Sequence, residues 1–367
     1  MLLSRFYPVM GGTEIQAQRL AEEIAKNGYE VFVLTSKLAR LAGYEKKGNI
    51  EIYRTNASGK GAISSLSFLL SSVIFLLKNR RKYDLIHVHL ASSHAFAAIV
   101  IKLLLKKKII LKFGGARATG DIGTSLAKPW GKIKLALIMK YFDTFIVPGK
   151  EVFNEIVSAG FPANKTSIIP NGVNTGMFSP VSTDDKIILR EKLHLPYKKY
   201  LFAYTGRVEK GKGLEVVLRL WKDVPKNICL VIIGSGALSA DLENKFGGNN
   251  IIFTGYRQNI YEYLRACDAF IFPSFGEGLS NALLEAMSCG LPVVANNIPS
   301  NGELINNNIN GILIDVSDTQ RMKTLIAEIV SNHGKYSKMG NAARRTVEQG
   351  YALKIIAGEY IKMYGKS

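Results

Sequence analysis

The 367-residue sequence predicts two α/β domains in series, each a doubly wound, mostly parallel sheet. Three observations lead there. Short apolar, β-branched runs alternate with glycine turns and helical stretches. That rhythm is completed twice, with a turn cluster, Pro170-Asn171-Gly172-Val173, between the two series. The apolar fraction of 47% and the charged fraction of 21% are those of a globular chain long enough for two cores.

In chain order, Met1-Leu2-Leu3 reads as a first strand, very short for one expected at the centre of a sheet, so it is either truncated or missing residues upstream. Strands follow at Val31–Thr35, Ile50–Arg54, Leu85–His89, Ile109–Phe113, Thr144–Val147 and Ser167–Ile169. Helices fit between them at Gly12–Asn27, Ala62–Lys78, His94–Leu105 and Lys150–Ala159. The first domain therefore covers residues 1–172. Asn174–Leu195 reads as a linker and lead-in to the second domain, residues 173–349. Its strands are expected at Tyr200–Thr205, Cys229–Ile233, Ile251–Thr254, Ala269–Ile271, Pro292–Ala295 and Gly311–Ile314. Its helices are expected at Gly213–Lys222, Ser239–Lys245, Asn259–Ala266, Ser280–Cys289 and Thr319–Ser331. The tail, 350–367, is an amphipathic helix with no strand after it, expected to pack back on the first domain.

Composition narrows the function. Cys229, Cys267 and Cys289 lie far apart in apolar surroundings, a pattern of free core thiols in a reducing compartment and not of a disulfide framework or a zinc site. Met1–Arg5 runs into a Pro/Gly turn without the apolar stretch of a secretory signal. Ile63–Leu77, about 15 residues with five serines, is too short to span a bilayer. A cytoplasmic location is expected. The formal charge of +19 is uneven: residues 60–150 hold 16 Lys/Arg against 3 Asp/Glu, or +13. That window is also rich in Leu, Ile, Val and Phe, which fits an anionic membrane surface better than a nucleic-acid groove. Core helices with solvated lysines at their ends are the plainer account of the same pattern.

Three constellations bear chemistry. Arg5-Phe6-Tyr7-Pro8-Val9-Met10-Gly11-Gly12-Thr13-Glu14 places paired glycines before a helix, where free amides and a partial positive charge meet a ligand, or where tight packing alone needs glycine. Gly206-Arg207-Val208-Glu209-Lys210-Gly211-Lys212-Gly213 follows a strand and precedes a helix; Arg207 and Lys212 suit a diphosphate, although Walker spacing is absent. The longest run, Phe272 to Ala295, carries Glu277 in a loop and Glu285 in the helix that starts near Ser280. Helix-terminal amides receive phosphate and carboxylates accept paired hydrogen bonds from vicinal hydroxyls, so this segment suits a sugar nucleotide.

At this point the chain resembles the large group of retaining glycosyltransferases typified by sucrose synthase and glycogen synthase. The resemblance rests on Glu277 and Glu285 in a Pro-Ser…Glu-Gly…Leu-Glu-Ala-Met…Gly-Leu-Pro-Val-Val-Ala setting. It extends to Tyr7-Pro8…Gly11-Gly12…Glu14, His87-Val88-His89, Ile169-Pro170-Asn171-Gly172-Val173 and Gly206-Arg207…Lys210-Gly211…Gly213. It implies a GT-B fold of two Rossmann-like domains facing a central cleft, with the donor held mostly by the second domain and the acceptor by the first. By that resemblance Arg207 and Lys212 neutralise the leaving diphosphate, Glu277 touches the transferred sugar and Glu285 binds the ribose. Gly206 belongs to the diphosphate loop, the amides of Gly278, Leu279, Ser280 and Asn281 hold phosphate, Gly11 and Gly12 close over the donor, and His89 lies near the sugar. Asn174 departs from the usual Asp after Asn-Gly-Val.

No Asp-x-Asp occurs, so no metal bridging the diphosphate and no cofactor are expected; fixed cations serve the leaving group. Without a flanking carboxylate pair, front-face transfer, with a donor phosphate oxygen helping to deprotonate the acceptor, is preferred over a covalent intermediate on Glu277. His87, on the same strand face as His89, reads as packing; His94 reads equally as an acceptor contact or a structural residue. Gly234-Ser235-Gly236 lacks the third glycine of a dinucleotide loop. The expected activity moves a hexose or similar sugar from a nucleotide sugar to a glycan or lipid-linked acceptor at the inner membrane face. An epimerase would have no use for a basic, apolar acceptor domain, and a nucleic-acid-binding protein would leave the Glu277/Glu285 pattern unused.

Overall fold

Strands covered by helices on both faces need continuous apolar runs, and the sheets of this protein are built from them. The computed structural model describes residues 1–8, 11–38, 40–117, 120–248 and 250–365. Val9 and Met10 of the glycine opening, and Lys366 and Ser367 of the tail, lie outside the described residues. The chain divides into two compact units, Met1–Gly172 with Leu353–Ser367, and Val173–Ala352.

In the first unit, β1 (Val31–Ser36) pairs in parallel with β3 (Ile50–Thr55), which carries β2 (Tyr44–Lys47) antiparallel on its outer edge. A second parallel set runs β4 (Leu85–His89), β5 (Lys108–Lys112), β6 (Thr144–Val147), β7 (Thr166–Ile168). Met1–Leu3 lies between the two sets. The Leu2 amide donates to the His87 carbonyl at 2.8 Å and the Leu2 carbonyl accepts from His89 at 3.1 Å, while Leu34 donates to Met1 and accepts from Leu3. Three residues thus do the work of a central strand.

The second unit is a six-stranded parallel sheet in the order β10 (Ile251–Gly255), β9 (Ile228–Ile233), β8 (Tyr200–Thr205), β11 (Ala269–Phe272), β12 (Val293–Asn296), β13 (Ile312–Ile314). The order reverses direction between β8 and β11, the crevice where open α/β sheets bind ligands. Helix Leu353–Gly365 belongs to the first unit: Ile356, Ala357 and Tyr360 are buried there with Leu20, Ile24 and Ile146. Each large apolar side chain so buried contributes about 1.5–3 kcal/mol.

Several expectations need correction. Thr183–Lys192, within the expected linker, is a helix whose Ser182 hydroxyl accepts from the Asp185 amide at 3.1 Å. Helices Asp121–Leu126, Gly131–Tyr141 and His333–Gly350 were not anticipated as elements, and neither was β2. Helix Gly61–Lys78 matches the expected Ala62–Lys78 to within a residue, but where its apolar run Ile63–Leu77 reads as too short to span a bilayer, the 18-residue helix is by length and composition apolar enough to cross one. Phe68, Ser72 and Leu76, one row at i, i+4 spacing, are nevertheless buried in the first unit's core.

Buried polar side chains fix the loops at the carboxyl ends of β4 and β5. Asp121 accepts from the amides of Ala91 and Gly114, both at 2.7 Å, tying one loop to the other. Gln16 and Gly172 exchange two hydrogen bonds, at 3.0 and 3.2 Å, and Lys112 donates to Asn171 at 2.9 Å, which anchors the Pro170–Val173 turn. His87 and His89 alternate on one face of β4 and their rings stack 4.3 Å apart.

Burial, reinforced by the Lys112 ammonium, holds the His87 and His89 imidazoles well below their usual range, and burial lowers His94 to about 4. Such histidines stay neutral in the fold while the unfolded chain takes up protons. Their contribution to stability is full above about pH 6.5 and is lost as pH falls toward 4. Lys112, lowered to about 7 by burial, is already protonated through most of that window and adds no slope there. The thermal midpoint should fall as pH drops from 6.5 to 4, and His94→Gln should flatten the dependence by up to about 1.4 kcal/mol per pH unit. Parallel pH profiles for the two proteins would contradict this assignment. Removing the Asp121 carboxylate (Asp121→Ala) should cost about 1–3 kcal/mol for each buried amide left without an acceptor, read by denaturant unfolding.

Candidate active site

The reversal point of the second sheet is where its glycine loops gather. β8 ends in the loop Gly206–Gly213, and β11 ends in the loop Pro273–Ser280, so the two leave adjacent strands side by side. They meet backbone to backbone: the Phe275 amide donates to the Gly211 carbonyl at 3.0 Å. Gly213 has φ +70°, and a Cβ there would stand 2.0 Å from the Pro273 carbonyl oxygen. Only glycine permits this approach. From below, the buried Asn296 amide donates to the Ser274 carbonyl at 3.2 Å and its Oδ1 accepts from Val316.

With the loops locked together, Lys212 Nζ lies 2.6 Å from Glu277 Oε1, both side chains half-buried. An ammonium and a carboxylate held side by side match a ligand that presents phosphate next to hydroxyl groups. Arg207 sits on the same loop but points outward: its side chain is 68% exposed and pairs with Glu209 at 3.0 Å. The Arg207 carbonyl accepts from the Tyr204 hydroxyl at 2.9 Å, which stiffens the exit from β8 beside Gly206.

The helix after Glu277, Asn281–Ser288, is capped by Ser280, whose hydroxyl accepts from the Leu283 amide at 3.3 Å. Gly278, Leu279, Ser280 and Asn281 thus surround the positive end of a helix dipole. Glu285, one turn further along, is only 5% exposed. Lys212 and Glu277 are therefore in direct contact, with Gly206, Gly278, Leu279, Ser280 and Asn281 on the same pair of loops and Glu285 on the helix they feed.

In the first unit, the Gly11 amide donates to Glu14 at 2.9 Å, so the glycine pair opens the helix Gly12–Lys26. His89 is 1% exposed, and neither ring nitrogen has a hydrogen-bond partner among the described residues. Its carbonyl accepts from the His94 ring at 2.9 Å. His94 is thus tied to the strand end that carries His89.

Four residues that organise these loops escaped the reading of the sequence: Gln16, Lys112, Asp121 and Asn296. Their partners lie between 20 and 156 positions away for the key contacts of Asn296, Asp121, Lys112 and Gln16, and no local period signals them. Asp121 alone left a trace, as the acid after Gly114-Gly115…Gly120 behind a strand.

Both halves of the chain are similar to known proteins. Residues 185–346 match the family described as glycosyl transferases group 1, and residues 10–176 match glycosyltransferase family 4. An uncharacterised glycosyltransferase of Methanocaldococcus jannaschii is 26% identical, over 98% of this chain and 95% of that protein. The Escherichia coli UDP-Gal:α-D-GlcNAc-diphosphoundecaprenol α-1,3-galactosyltransferase is 28% identical, over 70% of this chain and 68% of its own. Among solved structures, Anabaena HepE in complex with UDP-glucose superposes with a TM-score of 0.82 at 17% identity, covering 100% of this chain and 99% of that one. WaaG, a glycosyltransferase involved in lipopolysaccharide biosynthesis, gives 0.76 at 14% identity with 100% and 99% covered. The chain therefore belongs to the group 1, family 4-like glycosyltransferases and has their GT-B fold.

Proposed function

We propose that this enzyme is a retaining, metal-independent glycosyltransferase that moves a hexose or similar sugar from a nucleoside-diphosphate sugar to a glycan or lipid-linked acceptor at the cytoplasmic face of a membrane. The observation that carries the reading is the Lys212–Glu277 contact at 2.6 Å between two interlocked glycine loops, beside a capped helix N-terminus. The donor class is supported by the UDP-sugars that appear in the names of the Escherichia coli and Anabaena relatives. The acceptor class is supported by the diphosphoundecaprenol in the first of those names and by the +13 charge of residues 60–150.

Chemically, Lys212 supplies positive charge where a diphosphate would depart, the solvent-facing Arg207 stands on the same loop, and the helix capped by Ser280 presents the positive end of its dipole. Glu277, already ion-paired, is poised to accept a hydrogen bond from a sugar hydroxyl. Glu285, shielded from water, in this reading binds the paired hydroxyls of a ribose. In this reading a donor phosphate oxygen takes the acceptor proton, so no carboxylate is required as nucleophile, and no cofactor is needed.

Purified protein with EDTA present should show a thermal shift with one nucleotide class among UDP-, GDP-, ADP- and dTDP-sugars, and slow release of the corresponding nucleoside diphosphate. Activity that appears only on adding a divalent metal would overturn the metal-independent step. Lys212→Ala should lower kcat by about 10²–10³ with the fold intact by circular dichroism. Glu285→Gln, which keeps the buried volume, should raise KM for the donor more than it lowers kcat. Near-full activity in either variant would remove that residue from the site.

A further inference from the structure

The first unit exposes apolar side chains where a water-soluble surface would carry charge. Helix Gly61–Lys78 holds one charged residue, Lys78, at its end. Its buried row, Phe68, Ser72 and Leu76, faces the core, and the opposite side presents Ile63, Leu66, Leu70 and Ile74 to solvent at i, i+3 and i+4 spacing. Its serine hydroxyls do not make that side polar: Ser64 and Ser71 donate to the Ala57 and Asn56 carbonyls, and Ser65 to Gly61. Helix Ala95–Leu105 packs against it and exposes Leu103 and Leu104. Helix Gly131–Tyr141 packs against that one in turn, with Trp130 and Ile133 exposed at its start. Scattered apolar residues on a surface are ordinary; a run of them over three neighbouring helices marks an interaction site.

The rim of this face is basic. Lys60 stands at the start of the first helix and Lys78, Arg80, Arg81 and Lys82 at its end. Lys106 and Lys107 follow Leu104, and Lys128 and Lys132 bracket Trp130. Of the three acids in the window, Asp121 is buried and Asp143 is occupied by Lys102 at 2.7 Å, which leaves Asp84 as the exposed one. An apolar centre with a cationic rim complements a bilayer whose headgroups are anionic. A second copy of the same face would bring like charges together, which disfavours self-association. The buried row ties helix Gly61–Lys78 to the core and so favours a helix lying in the membrane plane over one crossing it.

We propose that helices Gly61–Lys78 and Ala95–Leu105 and the turn at Trp130 form one docking face that lies in the interface of an anionic phospholipid bilayer, the apolar side chains entering the acyl boundary and the lysines and arginines meeting the headgroups. The proposal rests on the membrane-acceptor reading above and gives it a definite surface. Trp130 is its built-in reporter. The chain has two tryptophans; Trp130 is 75% exposed and Trp221 is wholly buried in the second unit.

The test uses the full chain with vesicles of phosphatidylcholine containing phosphatidylglycerol, and of phosphatidylcholine alone, at about 0.15 M salt. Binding should require the anionic lipid, shift tryptophan emission to the blue, and allow quenching by acyl-brominated lipid. The double variant Leu66→Glu, Leu70→Glu and, separately, Arg80→Glu with Arg81→Glu should each weaken partitioning by about tenfold or more, with unchanged circular dichroism. Ile187→Glu with Ile188→Glu, in the second unit, should not. Three results would overturn the proposal: no anionic-lipid binding, binding with Trp130 emission and quenching unchanged, or a concentration-dependent dimer that Leu66→Glu, Leu70→Glu dissolves. Donor hydrolysis by the wild-type protein without lipid reports separately on the enzymatic reading, so failure of one is distinguishable from failure of the other.

Discussion

The candidate site depends on one close approach, the carbonyl of Pro273 seated where a side chain of residue 213 would otherwise be. Two loops that leave neighbouring strands normally diverge, each following its own helix. Here the Gly211–Phe275 hydrogen bond and the missing Cβ hold them together, and the Lys212–Glu277 pair follows from that. An ion pair between exposed flexible side chains is worth little. This one is half-buried on two loops joined by a backbone hydrogen bond, so its main effect is orientation: cation and carboxylate are set side by side before any ligand arrives.

The first unit relies on a different economy. Among the described residues its sheet has seven strands, and there the two sets are joined only through Met1–Leu3, with Leu2 bridging to Leu34 on one side and Val88 on the other. The polar groups behind that seam are buried in sequence: stacked His87 and His89, Lys112 under Asn171, Asp121 across two loops. A core so furnished is specified by many mutually dependent hydrogen bonds, and the same low-polarity surroundings keep its imidazoles neutral.

Much of this was legible in the residues. Parallel strands buried on both faces, such as β8 and β9, read as unbroken apolar runs, and their bounds came within a residue or so. The candidate loops were legible because glycine, arginine, lysine and glutamate each have few reasons to cluster at strand ends. What escaped was either polar or glycine-interrupted. Helix Thr183–Lys192 buries Arg190 and little else, so it lacked a hydrophobic stripe, although its Ser182 cap was a usable signal. Helix His333–Gly350 has the right period in Tyr336, Met339, Ala343 and Val347, interrupted by Gly340. A Cβ at Gly340 would meet the Gly290 carbonyl at 2.1 Å, so this glycine serves the packing of helix His333–Gly350 on its neighbour. The long-range anchors Gln16, Lys112 and Asn296 left no local mark at all.

The placement of helix Leu353–Gly365 has a consequence for the order of events during synthesis. Ile356, Ala357 and Tyr360, part of the first unit's core, are translated only after every residue of the second unit. Domains usually fold as they emerge, the amino-terminal one first. In this chain the amino-terminal unit, although made first, can complete its core only when the carboxyl-terminal helix emerges, so its final packing waits for the last residues of synthesis.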